Sequence, residues 1–436
     1  MSSIHDFIGR CAVELLAENE RRWWGSELEA LPRLCFLPDH HLDAQGNPEK
    51  EAEMRRFCVM PDNQPIPHTP TDMNGNWCVF TGSGLEDIMV EKVASYYVDK
   101  ILDCAVAGDM YSAARFTGAI SHYIQDNSVP VHVINNMLMN RLFPEKNGRY
   151  VHYHRIVDGL HFDPAKLDIK PALLGTNREE LVFYLVQGIK KNRENAFPLL
   201  VPLISAIDDN DQETIQNISQ QYNGDALQLT VSLWHTLYAL ANNDIAPEET
   251  KFLQSCRLSR MIPVIEINPV FDRENFRRFG IDFYPTFYKQ CDPDRSYIGL
   301  DPYRFEPALN KVYGKNGEVL PVLLQNGDTV EEFHDCIAVS GYGLSVFDVP
   351  GKIYNELTVI AGFHPISASG RDVRFSILFD CADGLQLAFQ EDKKEHGRYS
   401  DIKLTIPENC RRILFIVTGG TAASSVLWCN PVIRKR

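Results

Sequence analysis

No apolar run in this chain approaches about 18 residues, the length a membrane-spanning helix needs, so no transmembrane segment is expected. The chain also lacks any C-x-x-C pair. Its eleven cysteines are an odd number scattered through apolar segments (Cys11, Cys35, Cys104), and they read as reduced, buried thiols. It has no internal repeat and no low-complexity tract. At 44% hydrophobic and 23% charged residues it is neither a disordered chain, a collagen-like fibre nor a disulfide miniprotein. Positive charge is scarce in the first half. Residues 1–250 hold 20 Lys and Arg against 35 Asp and Glu, whereas residues 251–436 hold 23 of each, so the whole net charge of −15 falls before residue 251. Such a surface does not gather polyanions by bulk charge, but it attracts cations, metals included.

The first 24 residues interleave Asp6, Arg10, Glu14, Glu18, Glu20, Arg21 and Arg22 with apolar positions. That pattern reads as an amphipathic helix rather than a secretory signal. With unpaired cysteines it gives the expectation of a reducing, cytoplasmic location, or a secreted one if a leader has been removed.

A length of 436 residues predicts two to four domains. Up to about residue 245 the apolar spacing is helical: 3–20, a hairpin of 85–107 and 110–126 broken at Gly108-Asp109, then 178–200, a short helix at 205–220, and 226–242. Residues 25–84, rich in Pro, Gly and Asn, read mostly as loop. After residue 255 the pattern changes. Segments 318–324, 357–361, 373–379, 402–406, 412–418 and 425–433 are short, apolar or alternating, and separated by Gly, Asp and Asn, as in a β-sandwich. The expected organisation is a helical catalytic domain over 1–250, an irregular packed linker over 251–317 and an antiparallel sandwich over 318–436, a multidomain α plus β chain.

The chemistry-bearing stretch is His122-Tyr-Ile-Gln-Asp126-Asn-Ser-Val-Pro-Val-His132. His122 and Asp126 are four apart, so a helix places both on one face. Pro130 bends or ends that helix before His132. His154 and Asp158 repeat the four-residue spacing. Imidazole and carboxylate together are common ligands of catalytic zinc. A single His/Asp pair at this spacing is more often a surface hydrogen bond; two pairs and a third His make metal binding the rival reading. His161, three residues beyond Asp158, is an alternative to His154. His40, His41 and His152 flank these positions, and His235 reads as a helix residue with a satisfied nitrogen.

H-x3-D-x5-H followed by H-x3-D resembles the zinc-dependent phospholipase C and single-strand zinc nuclease superfamily. Residues 95–132 resemble that family's core hairpin, Leu37-Pro38-Asp39 its early aspartate segment, His68-Thr-Pro-Thr-Asp-Met-Asn-Gly75 its histidine loop, and Ser3-Ile4-His5 its first histidine. The resemblance covers about residues 3–243. It implies two to three Zn2+ ions: one held by Asp39, His68, His122 and Asp126, a second by His132, His154 and Asp158, and a third by His5 with a shared Asp126. The family completes the third site with an N-terminal Trp; this chain has no such Trp, and with Met1 removed the Ser2 amine would stand in its place. Zinc lowers the pKa of bound water to about 7, and Asp39 is the candidate to orient or deprotonate that water. The implied activity is phosphodiester hydrolysis, of phospholipase C type, with a single-strand nuclease or 3′-nucleotidase as the alternative. Nucleic acid is the less favoured substrate on charge. The aromatic positions that set specificity in the family are His40, Pro65 and Thr69 here, so substrate preference does not carry over.

Gly341-Tyr-Gly343, Leu357-Thr-Val-Ile-Ala-Gly362-Phe-His364-Pro, Val373 to Asp380 and Trp428-Cys-Asn-Pro-Val-Ile433 resemble the NPCBM type of carbohydrate-binding sandwich. That resemblance implies a glycan, or a membrane surface, as partner of the C-terminal domain, with Trp428 as either core or ligand platform. The rival from another class is a glycan- or protein-binding protein whose helical domain is inactive.

Overall fold

The computed structural model describes residues 3–40, 47–58, 84–133, 143–146, 148–264, 273–281, 307–314, 318–339, 341–367, 370–394, 397–421 and 424–435. The chain divides into two compact units, a helical one within 1–81 and 88–251, and a β-rich one within 252–436 together with 82–87.

The helical unit contains α1 (Ile4–Leu15), α2 (Glu18–Trp24), α3 (Leu31–Leu34), α4 (Pro48–Phe57), α5 (Gly84–Val106), α6 (Met110–Asp126), α7 (Tyr150–Val157), α8 (Arg178–Ala196), α9 (Leu200–Asp209) and α10 (Gln212–Asn242). The single helix expected over 3–20 is two. Leu16 and Ala17 are extended, and the Glu20 carboxylate accepts the Ala17 N–H at 2.8 Å, which starts α2 afresh. The α5–α6 hairpin stands where the spacing puts it. Gly108, at φ 77°, makes the turn, and the Asp109 side chain caps α6 by accepting the Ser112 N–H at 3.0 Å. The helix expected at 205–220 is broken at Asn210, at φ 57°: its first residues end α9, and the rest continues without a break through 226–242 as one 31-residue rod, α10. Its polar middle reads as a break, yet Tyr222, Asn223 and Gly224 are all buried, and burial overrides their poor helix propensity. Part of the expected loop over 25–84 is ordered too, as α3, α4 and a 3-10 turn at Leu37–His40.

The centre of this unit is α6. Every residue from Ser112 to Asp126 except Arg115 is buried, the signature of a helix packed on all sides. Gly118 makes that possible: a Cβ there would stand 2.5 Å from the Leu34 backbone. A larger residue would push α3, and the Cys35 that follows it, off α6.

The β-rich unit is an antiparallel sandwich. Its strands are β1 (Ser255–Arg257), β2 (Ala308–Leu309), β3 (Val312–Tyr313), β4 (Val319–Leu320), β5 (Leu323–Asn326), β6 (Thr329–Glu332), β7 (Cys336–Val339), β8 (Gly343–Asp348), β9 (Glu356–Phe363), β10 (Asp372–Cys381), β11 (Gly384–Lys394), β12 (Ser400–Thr405), β13 (Cys410–Thr418) and β14 (Val426–Arg434). One sheet runs β12-β9-β14-β7-β2, with β1 also on β14; the other runs β11-β10-β13-β8. The strands β1, β2 and β3 lie inside the segment read as linker over 251–317, and β1 and β2 belong to the first sheet. Trp428 is fully buried between Phe375 and Phe415, with ring centroids 5.3 and 5.1 Å away, so it is core and not a ligand platform.

Candidate metal centre

His122 and Asp126 leave α6 on one face, and both are fully buried. That settles the first question posed by their spacing, because a surface hydrogen-bonded pair would be solvated. Beyond Asp126 the helix stops. The Asn127 amide and the Ser128 hydroxyl fold back to donate to the Tyr123 and Ile124 carbonyls at 2.7 and 2.9 Å, and Pro130 opens a short 3-10 turn that ends in His132–Val133. This turn brings the His132 ring back over Asp126, with Nδ1 3.8 Å from Oδ2. The other ring nitrogen, Nε2, lies 3.2 Å from Asp158 at the end of α7, and His154 Nδ1 lies 2.9 Å from the second oxygen of that carboxylate.

On its other side Asp126 faces α1 and the Leu37–His40 turn. His122 Nε2 stands 3.2 Å from Asp126 Oδ2 and 3.6 Å from Asp39 Oδ1. His5 Nε2 stands 3.4 Å from Asp126 Oδ1 and 3.9 Å from Asp39 Oδ2. The His5 and His122 rings lie 4.1 Å apart, and the His132 and His154 rings 4.5 Å. Two sets of three ligand atoms therefore converge, His5-Asp39-His122 and His132-His154-Asp158, with Asp126 touching both.

The separations have chemical meaning. Ligands placed tetrahedrally about 2.0–2.2 Å from zinc stand roughly 3.3–3.6 Å from one another. Several of the N–O distances here fall in or near that range, longer than good hydrogen bonds. The far nitrogens of two rings are held: His5 Nδ1 by the Gln125 side-chain oxygen at 2.8 Å, and His122 Nδ1 by the Cys35 carbonyl at 2.9 Å. Each arrangement holds a ring proton on Nδ1 and leaves Nε2, facing the carboxylates, as the nitrogen that would bind a metal, as metal-bound histidines require. His132 Nδ1 is buried without a hydrogen bond. The donor set, imidazoles and carboxylates with oriented rings, fits zinc.

Without a cation this cluster is electrostatically loaded. Burial works against the charged form of His122, but Asp126 and Asp39 outweigh it and push the ring up to about 9. Burial is likewise outweighed at His132, by Asp126 and Asp158, again to about 9. For His5 burial prevails, helped by His122, and its pKa falls. Asp126 resists burial through His122 and His132 and is held well below the carboxylate range. Bound cations would take over the role of these ring protons.

No family model matches this chain, and no curated protein matches it. Solved structures do. The CBM51-2 and INT domains of ZmpB from Clostridium perfringens are similar over 29% of this chain and 28% of that one, at 19% identity and a TM-score of 0.25. The tandem CBM51 modules of a family 98 glycoside hydrolase from Streptococcus pneumoniae are similar over 44% of this chain and 50% of theirs, at 14% identity and 0.29. The xylan-binding CBM22-1 domain of Xyn10C from Paenibacillus barcinonensis gives 30% and 96%, at 10% identity and 0.20. These likenesses fall on the C-terminal sandwich, and this chain spans under a third of the ZmpB fragment. Scores this low carry no argument about what the sandwich binds.

Seven of the eight residues expected to hold metal thus meet in one place: His5, Asp39, His122, Asp126, His132, His154 and Asp158. The eighth, His68, lies outside the described residues, as do His41 and the side chain of His40. His5 faces Asp126, the carboxylate it was expected to share, and it faces Asp39 as well. His154, not His161, pairs with Asp158; His161 is exposed and stacks edge-on against Phe7 at 5.1 Å. The roles of Gln125 and the Cys35 carbonyl are not visible in the sequence. Gln125 carries one signal, its place inside the His122–Asp126 turn, but its partner His5 is 120 residues away.

Proposed function

We propose that the helical unit is a zinc-dependent phosphodiester hydrolase of phospholipase C type. The observation that carries this reading is the buried Asp126 carboxylate, which faces His5 and His122 on one side and His132 on the other, with Asp39 and Asp158 completing two ligand groups. When bound, zinc would supply positive charge for the phosphodiester and a water of lowered pKa. The chain's own residues do the rest. Asp39, with about a quarter of its side chain exposed, is the most open carboxylate beside His5 and His122, and it is placed to orient a water and take its proton. Gln125 and Cys35 fix the ring tautomers. Burial of His122 and Asp126 keeps solvent from competing at the inner ligands. Gently purified protein should contain at least two zinc ions per chain and hydrolyse phospholipids in preference to single-stranded DNA or 3′-nucleotides. Metal-free protein with no hydrolysis after zinc loading would remove this reading, and faster hydrolysis of nucleotides would move it to the nuclease branch.

A second reading concerns the sandwich alone, as a glycan-binding module. Tyr342, between Gly341 and Gly343, is 44% exposed, and an exposed aromatic beside small residues suits a flat sugar face. Titration with a panel of monosaccharides, for the wild type and Tyr342→Ala, tests it. Binding unchanged by the substitution would discard Tyr342 as the platform.

A further inference from the structure

Four of the sandwich cysteines are register partners. Cys336 on β7 faces Cys429 on β14 in one sheet, and Cys381 on β10 faces Cys410 on β13 in the other. All four are buried. The second pairing depends on an irregularity. The register shifts between Asp380 and Cys381, so Arg412 and then Cys410 face them and Arg411 is skipped; in an unbroken ladder Cys381 would face Arg411.

The hydrogen bonds around each pair define its class. The Asn430 N–H donates to the Asp335 carbonyl at 2.8 Å, one residue beyond Cys429 and one before Cys336. Cys336 turns both of its own backbone groups away: its N–H donates to the Asn310 side chain and its carbonyl accepts the Asn310 N–H. The other sheet repeats this. The Ala382 N–H donates to the Asn409 carbonyl at 3.1 Å, the Cys410 N–H donates to the Pro407 carbonyl, and the Cys410 carbonyl accepts the Gly351 N–H. Both pairs are therefore non-hydrogen-bonded pairs of an antiparallel ladder. There the Cα atoms stand about 4.5 Å apart and side chains on the shared face are at their closest, inside the roughly 4.4–6.8 Å range that a disulfide spans. Consistently, Cys336 and Cys429 belong to one apolar cluster with Val322, Leu324 and Leu427, while the Cys410 thiol donates to the Arg412 carbonyl at 3.2 Å.

We propose that the sandwich carries two built-in cross-strand disulfide sites, Cys336–Cys429 and Cys381–Cys410, which a small-molecule disulfide such as oxidised glutathione closes as the strands assemble. In each closure one cysteine thiolate attacks the oxidant, forming a mixed disulfide and releasing one small thiolate. The facing thiolate then attacks the protein sulfur of that mixed disulfide and expels the second. Two protein thiols lose their hydrogens, the oxidant becomes two thiols, and one S–S bond forms. Closure belongs to assembly and not to the finished fold. Burial pushes the Cys336 thiol up to about 11 and raises Cys410 and Cys429 further, so the folded thiols are poor nucleophiles. One bond fastens the last strand to its neighbour and the other pins the centre of the opposite sheet.

The test is synthesis of the full chain in a cell-free system, once with a glutathione couple poised to oxidise and once with reductant. Each product is alkylated in denaturant and mapped by peptide mass. The oxidised product should show both named links and a higher denaturant midpoint for the sandwich than the reduced one. Cys410→Ser should free Cys381 for alkylation and leave the Cys336–Cys429 link in place. The proposal is overturned if the four cysteines are fully alkylated in the oxidised product, if they link to other cysteines, or if the links form and lower the midpoint. Should Cys410→Ser fail to fold, Cys336→Ala makes the reciprocal comparison, with Cys381–Cys410 expected to persist.

Discussion

The helical unit holds two buried clusters of histidine and carboxylate, and they are built differently. Around Asp126, four rings and three carboxylates meet at separations of 2.9–3.9 Å, most of them beyond a good hydrogen bond. Around His235 one ring takes two carboxylates and is saturated. Nδ1 bonds Glu20, Nε2 bonds Glu249 at 2.9 Å, and the Glu20 carboxylate also accepts the Ala17 N–H. The same residue types thus make an incompletely paired cluster around Asp126 and a closed latch between α2, α10 and the segment after it. Spacing along the chain already points to the difference, since His122–Asp126 and His154–Asp158 are four apart while His235 has no carboxylate three or four residues away; the structure adds that only the His235 partners have finished pairing with one another.

The largest effect expected is at Asp126. Asp126→Asn keeps the shape and removes the charge that faces both ligand groups, so bound zinc should fall below one per chain and hydrolysis by more than about a hundredfold, since even outer-shell changes cost 10–100-fold. Turnover near that of the wild type would break the assignment. Next is Gln125→Leu, which frees the His5 ring without touching a ligand. Zinc affinity should drop by roughly 10–100-fold, read by competition with a chelator, while secondary structure measured by circular dichroism is unchanged. Equal affinity would make Gln125 a packing residue only.

The latch should answer in the opposite way. His235→Ala leaves the buried Glu20 short of a partner, so stability should fall by about 1–3 kcal/mol, with zinc content and turnover as in the wild type. Loss of zinc would show that the clusters are coupled. The smallest effect is a slope. Burial opposes charge on His235, but Glu20 and Glu249 outweigh it and raise its pKa. A ring held charged in the fold contributes fully below its unfolded value near 6.5 and loses that contribution as pH rises through the raised value. The stability measured by denaturation should therefore fall more steeply with rising pH for the wild type than for His235→Gln. Parallel curves would mean that the ring is already neutral.

Much of this architecture is legible in the amino-acid sequence alone. The α5–α6 hairpin follows from apolar spacing and Gly108-Asp109, and β9, β10, β12, β13 and β14 lie close to the expected alternating segments. The ligand residues follow from two four-residue spacings and a family resemblance. What the sequence hides is long-range. That α10 is unbroken depends on burial of Tyr222 and Gly224, and the contact of His5 with Gln125 bridges 120 residues. The strands β7, β8 and β11 are hidden for a related reason. Cys336–Val339 and Gly343–Asp348 are nearly continuous buried runs that do not alternate, and Gly384–Lys394 alternates only over Leu385 to Gln390 before the charged run Glu391 to Lys394.

One hydrogen bond gives the helical unit an optical handle. The Trp234 indole on α10 is fully buried and donates to the Ser121 hydroxyl at 2.9 Å, and Ser121 immediately precedes His122. Zinc itself has neither colour nor unpaired electrons. An indole hydrogen-bonded one residue from a ligand supplies the signal that the ion cannot. With the other tryptophans replaced by phenylalanine, the emission wavelength of Trp234 would follow filling of the cluster in real time, without a label.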